Sequence, residues 1–213
     1  MNGMHLDRRS LDALPRERGV ALVNSLSGFK SATLVGTQSR EGQSNLAIMN
    51  STMHIGARPP LLGLIFRPDT VARHTLENIR ATGVYTINHV PEAHIEAAHQ
   101  TSARYPRACS EFAATGLSEG WWEDFAAPYV AEAAVRIGVR ACEELPITSN
   151  GTYLVIGEVM QLDYPDDALT SDGALDPRAA GSVACVGLGS YYRAELLQRL
   201  PYAKAASDTD SSR

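Results

Sequence analysis

Ser27–Val90 reads SGFKSATLVGTQSREGQSNLAIMNSTMHIGARPPLLGLIFRPDTVARHTLENIRATGVYTINHV. Three short apolar runs, each closed by turn residues, precede a polar cationic turn, a short helix and a fourth run. Residues 30–37 predict a first strand and SREGQ a polar turn. Residues 45–55 predict a second strand, and Pro59-Pro60 break the connection to a third, LLGLIF. Asp69 or Thr70 is placed to cap a helix that ends near Gly83, and GVYTINHV predicts a fourth strand. Polar residues thus fall where strands end and a helix begins. Such ends can offer hydroxyls, amides and free backbone N–H groups to an anionic ligand.

Outward from this stretch, residues 7–27 predict a helix whose partial apolar face is Leu11, Leu14, Val20, Leu22, Val23 and Leu26, with Gly28 as its stop. Pro15 is positioned to split it in two. PEAHIEAAHQTS predicts a short helix with Pro91 in its first turn, and residues 101–128 read as irregular. Two further strands are expected within 129–142 and 152–163, with LPITSNG as the loop between them. Residues 164–180 read as loop, YYRAELLQRL as a last helix, and 203–213 as a disordered tail with nothing to bury. Residues 1–202 are therefore expected to form one domain with an N-terminal helix. Strands with few helices and mostly short turns predict an antiparallel barrel with peripheral helices, and no βα alternation supports a doubly wound sheet.

The 213 residues, 44% hydrophobic and 20% charged, suit a globular protein with a real core. A net charge of −5 argues against a general nucleic-acid binder. No apolar run is long enough to cross a bilayer, and the N-terminus has no hydrophobic signal core, so a cytoplasmic protein without a membrane partner is expected. Cys109, Cys142 and Cys185 form no metal spacing and are expected to be buried thiols.

Along the second predicted strand, Ala47, Met49, Ser51, Met53 and Ile55 share one face, and Leu46, Ile48, Asn50, Thr52 and His54 the other. The strand alone reads most simply as an edge with one wet face; as a ligand wall it would present Asn50, Ser51 and Thr52. The next block shifts the balance. Arg67, Arg73 and His74 lie at a strand–helix junction, and Thr75 and Asn78 stand at i and i+3 on the helix. A solvated cationic turn would account for these residues singly. Cations, hydroxyls and oriented N–H groups together favour a phosphate site. Other patterns carry less. His94 and His99 lack zinc spacing, and no metal site is expected. GLGSYY lacks the third glycine and the following unit of a dinucleotide fingerprint and reads as a tight turn. Trp121-Trp122 reads as packing, at the core or between subunits.

These residues resemble the flavin reductase-like family of FMN-binding split-barrel proteins, from about Leu22 to Tyr202. The likeness rests on Gly42 and Asn45 of EGQSN, Ala47, Pro59-Pro60, Thr75 with Asn78-Ile79, and Gly83 through Asn88. SEFAATGLS, VIGEV and GSYY add to it further along. The chain departs from many relatives at Ile48-Met49-Asn50, where they carry Pro-aromatic-Ser, and at His74, where they carry an acid. Asn50 keeps a hydrogen-bonding side chain and His74 adds a donor toward phosphate.

The resemblance implies a six-stranded antiparallel Greek-key split barrel, a homodimer, and FMN in a groove near the dimer interface. It places Asn50, Ser51 and Thr52 against the flavin and Arg67, Arg73, His74 and Thr75 against its phosphate. The activity it implies is an FMN-binding oxidoreductase of flavin reductase type, with hydride passing from NADH or NADPH to flavin and then to a small-molecule acceptor, a second flavin or a protein partner. The alternative is an FMN-binding electron carrier or flavin-storage protein without nicotinamide turnover; a flavin-free barrel that binds another anion or a partner protein also stays open. The cofactor carries the hard chemistry, so no catalytic acid or base is assigned. His54 is the one candidate to test, and a structural histidine is the simpler reading.

Overall fold

The computed structural model describes residues 3–204. Pro15 divides the N-terminal segment as expected, into α1 (Arg8–Asp12) and α2 (Arg16–Ser25). Asp7 caps α1 by accepting from Ser10 N at 2.8 Å. Neither helix buries a residue, and Val20, Val23 and Leu26 stand exposed.

The chain continues through β1 (Lys30–Ser31), β2 (Thr33–Gln38), β3 (Ser44–Met49), β4 (Met53–Ala57) and β5 (Pro60–Phe66) to α3 (His74–Thr82) and β6 (Val84–His89). After α4 (Ile95–Gln100) and α5 (Glu111–Thr115) come the short β7 (Glu119–Gly120) and β8 (Tyr129–Val130). The long hairpin β9 (Arg136–Ile147) and β10 (Thr152–Asp163) follows, then β11 (Ala184–Val186) and β12 (Ser190–Tyr192). Seven strands form one sheet in the order β3-β2-β6-β9-β10-β5-β4, and every pairing is antiparallel.

The two edges of that sheet, β3 and β4, are consecutive in the chain. The expected single strand 45–55 is therefore two strands, broken at Asn50-Ser51-Thr52. The cause is a set of hydroxyls that replace ladder bonds. Ser51 Oγ accepts from Ile65 N at 3.2 Å and donates to Ile65 O at 2.9 Å, so the bend is tied to β5. Thr33 Oγ1 reaches Thr52 Oγ1 at 2.8 Å and Met49 O at 3.2 Å, which ties it to β2. Counted as one bent strand, β3–β4 closes a six-stranded split barrel.

Val35, Leu64, Phe66, Tyr85, Ile87, Val139 and Val155 fill the barrel, and Leu76 and Ile79 of α3 pack onto them. A second cluster, including Leu34, Leu46, Val90, Ala98 and Phe112, lies between the β2–β3 side and the α4–α5 excursion. That excursion also satisfies the outer edge of β3. Leu46 N donates to Glu111 Oε2 and Ile48 N to Thr101 Oγ1, each at 2.9 Å.

Three further expectations need correction. LPITSNG is not all loop: β9 runs through Pro146 to Ile147. Past Arg140, β9 has β10 on one side and no β6 on the other, so Pro146 breaks no central ladder. YYRAELLQRL is not a helix. Tyr191 and Tyr192 pair with β11, and residues 193–200 have no regular structure, with Leu196, Leu197 and Leu200 exposed. So short a helix without a surface to pack on is marginal in water. Of the cysteines only Cys185 is buried; Cys109 is half-buried and Cys142 exposed. The tail expected to be disordered lies, from residue 205 on, outside the described residues.

Candidate functional site

The segment between β5 and α3 carries the expected cations. Arg73 occupies the N-cap position of the helix and offers no side-chain acceptor, while Glu77 Oε1 of the first turn accepts from Arg73 N at 3.0 Å. Neither Asp69 nor Thr70 caps the helix. Asp69 instead faces α3 lower down, accepting from Arg80 Nη1 at 3.0 Å and from Tyr153 OH at 3.2 Å. The Arg80 guanidinium, with help from Tyr153, holds the Asp69 carboxyl below the usual carboxylate range. No acceptor among the described residues takes the N–H of His74, Thr75 or Leu76, so these three donors stay free beside a Glu77 carboxylate that is engaged with Arg73 N and Arg107. Gly83 ends the helix as expected, at φ 76°, with its N–H on Ile79 O at 2.8 Å.

Around that turn, Arg67 is exposed, and Arg73 is half-buried with Nε on Pro68 O at 3.3 Å. His74 is half-buried and lines a polar cleft with Ser44, Asn45, Arg107 and Cys109. The Glu111 carboxyl is pushed upward by burial, against the hydrogen bond from Leu46 N. Thr75 and Asn78 are buried. Asn45 Nδ2 donates to Thr75 Oγ1 at 3.0 Å and lies 3.3 Å from Thr37 Oγ1, which also accepts from Asn78 Nδ2 at 3.1 Å. Arg107 donates to Asn78 Oδ1 at 3.3 Å and forms an ion pair with Glu77. Asn78 is thus engaged at both ends of its amide within a buried network, whereas Thr75 uses its hydroxyl oxygen as an acceptor and keeps its proton.

Asn50, Ser51 and Thr52 meet at the barrel bend. Asn50 Nδ2 donates to Gly187 O at 2.6 Å, which links the bend to the turn between β11 and β12. The Ser51 and Thr52 hydroxyls are engaged in closing the barrel. Ser51 bonds Ile65, two residues before Arg67, so the bend adjoins the strand end from which the cationic segment leaves. His54 stands exposed on β4 opposite Leu62.

Sequence reasoning missed Arg107 and Glu111, which lie in a stretch without periodicity. It also missed Asp69 and Arg80 as a pair, and His89, whose Nδ1 lies 2.9 Å from Ser182 Oγ. Other groups have structural partners: His99 Nδ1 lies 2.9 Å from Tyr191 OH, and Trp122 packs on Phe125 and Tyr129 with Nε1 on Asp163. No helix among the described residues is long and apolar enough to cross a membrane.

Comparison with solved structures places this geometry. A split-barrel protein of Shewanella frigidimarina, assigned as a candidate flavin reductase, superposes with a TM-score of 0.91 at 48% identity, covering 94% of this chain and 100% of that one. Nitrilotriacetate monooxygenase component B of Bacillus cereus shares the fold with a TM-score of 0.81 at 19% identity, over 94% of this chain and 100% of that one. Flavoredoxin of Desulfovibrio vulgaris does so with a TM-score of 0.70 at 23% identity, over 84% and 93% respectively. The family model of the flavin reductase-like domain matches residues 27–181, and the chain belongs to that family of flavin-binding split barrels.

Proposed function

We propose that the protein is an FMN-binding oxidoreductase of flavin reductase type that uses NADH or NADPH, and that it works as a homodimer. The observation that carries this reading is the first turn of α3, whose N–H groups at His74, Thr75 and Leu76 are free, with Arg73 and His74 at its start and Arg67 earlier in the same segment. A phosphate monoester needs oriented N–H donors and cations at one place, and this turn supplies both. When bound, FMN would supply the hydride-accepting chemistry of its isoalloxazine ring. The chain's own task is then to bind and orient. The N–H groups of His74, Thr75 and Leu76, the Thr75 hydroxyl proton and the nearby cations hold the phosphate. Asn50 and the main chain of the bend at Ser51 and Thr52 border the ring, and the engaged hydroxyls keep that bend rigid. Asn78 supports the site from beneath through the buried network.

The homodimer is supported by an unpartnered apolar patch outside the barrel. Met53, Ile55 and Leu154 converge over Gly63, each 3.1 Å from where its Cβ would stand. Met53 and Ile55 lie exposed on the edge strand, with Leu145 exposed on β9.

The deciding experiment is an absorbance spectrum with and without FMN, then anaerobic NADH or NADPH on the same sample, with light scattering for mass. Flavin bands that bleach on adding nicotinamide, in a particle of two chains, are expected. A second reading, an electron carrier without nicotinamide turnover, draws on the bend offering only amide and hydroxyl side chains and no acid or base. Bands that persist under nicotinamide would select it. No flavin bands at all would overturn both.

Arg73→Ala combined with His74→Ala is expected to weaken FMN affinity more than about tenfold through lost charge-assisted bonds. Fluorescence titration reads this directly, and an unchanged Kd would remove the phosphate from this turn.

A further inference from the structure

Arg80 sits near the C-terminal end of α3, where an ordinary surface arginine would be solvated. Here its guanidinium is engaged on several sides. Nη1 donates to Asp69 Oδ2 at 3.0 Å, and Nε donates to Glu144 Oε2 of β9 at 3.0 Å. Its carbon lies 4.9 Å from the centre of the Tyr153 ring. Tyr153 OH in turn donates to the second oxygen of Asp69 at 3.2 Å, so both oxygens of that carboxylate are occupied. Asp69 is the third residue of the segment from Arg67 to Arg73. Next to it, Pro68 rests on the β9–β10 turn at Gly151, and the Pro68 carbonyl accepts from Arg73 Nε.

The segment is thereby pinned in its first half from two directions, by α3 and by the β9–β10 hairpin. Two consequences follow. A segment ordered in advance loses less entropy when a ligand arrives. An acid that would repel an anion at the neighbouring helix N-terminus is turned away and neutralised by Arg80.

We propose that Arg80 is a positioning residue which, anchored on Glu144 and Tyr153, holds Asp69 so that Arg67, Arg73 and the first turn of α3 are preset for the phosphate of the flavin. This rests on the FMN reading above. These charges are partly exposed and screened by solvent, so the effect is expected in ligand discrimination more than in folding.

The test compares FMN with riboflavin, which has the ring but no phosphate, by fluorescence titration of the full chain. The wild type is expected to prefer FMN. Arg80→Met should weaken FMN by about tenfold and leave riboflavin unchanged, the loss expected when a charge-assisted, preset site is loosened. Arg80→Lys should recover part of the preference, since one ammonium cannot serve Asp69 and Glu144 in the same geometry. Glu144→Gln, remote from the ligand, should shift the ratio in the same direction and keeps the test open if Arg80→Met folds poorly. Wild-type preference that survives both Arg80→Met and Glu144→Gln would overturn the clamp while leaving the phosphate site standing. Equal wild-type affinity for the two flavins would overturn the phosphate site and the clamp together.

Discussion

Gly36→Ala is expected to destabilise the barrel by about 3–5 kcal/mol, combining overpacking with a broken buried hydrogen bond. Gly36 sits in β2 between Leu46 of β3 and Thr86 of β6. A Cβ there would stand 2.1 Å from Pro128 O and 2.6 Å from Thr86 Oγ1. Those two atoms are themselves hydrogen-bonded at 2.7 Å, so the methyl would drive between them. Neither side can yield cheaply. Asn88 Nδ2 donates to Thr86 Oγ1 at 2.9 Å and to Leu34 O at 3.0 Å, while Asn88 Oδ1 accepts from Val130 N at 3.1 Å. The strand would have to part from this buried network, and a loss of that size is a large share of the usual 5–15 kcal/mol, roughly, of a folded domain. Urea denaturation measures it. A variant within about 1 kcal/mol of wild type would mean that the 128–130 segment can move aside, against the contact distances.

His89 should make stability depend on pH over a defined range. Burial at the end of β6 lowers its pKa from 6.5 to about 4. The sign follows from proton uptake. Between those values the unfolded chain binds a proton that the folded chain refuses, so stability rises with pH through the window. The contribution is complete above 6.5 and is lost as pH falls toward 4. The full span is about 3 kcal/mol, taking 1.36 kcal/mol per pKa unit as a rough conversion. Glu111 acts in the opposite sense, because burial raises its carboxyl and the folded state then holds a proton more readily. The informative quantity is therefore wild type minus His89→Gln, from urea unfolding at several pH values. A difference that stays flat from pH 4 to pH 7 would mean that His89 charges freely in the folded state.

The strands, the polar turn after β2 and the glycine stop of α3 were legible because their signals are local: alternation, turn residues, and a left-handed position that suits glycine. The break in β3–β4 was not. Residues 45–55 alternate smoothly across it, and what breaks the strand is a pair of hydroxyls, those of Ser51 and Thr52, anchored on the backbone of Ile65 and on Thr33 Oγ1. The spacing of Thr75 and Asn78 correctly put them on one face of α3. It could not say whether that face meets the barrel or a ligand, and Asn45 and Thr37 decide this from other strands. The failed C-terminal helix shows the same limit. YYRAELLQRL has helical composition, but Tyr191 and Tyr192 find partners in β11 first. Asp69 was legible as a capping residue type, yet Arg80 and Tyr153 draw it elsewhere.

The bend also orders events in time. Its anchors join residues 19 and 14 apart in the chain, Thr33 to Thr52 and Ser51 to Ile65. Closing β5 onto β10, by contrast, brings together residues as distant as Leu61 and Glu158. Loop-closure entropy favours the nearer contacts first, so the two hairpins that share the bend form an early unit and the β9–β10 hairpin enters last. We expect Ser51→Ala to slow refolding and to leave the unfolding rate nearly unchanged. Stopped-flow mixing would show the reverse pattern if the barrel instead grew from the β9–β10 hairpin. A residue chosen as a ligand contact would then matter to this protein before any ligand is present, as part of the step that commits the chain to its topology.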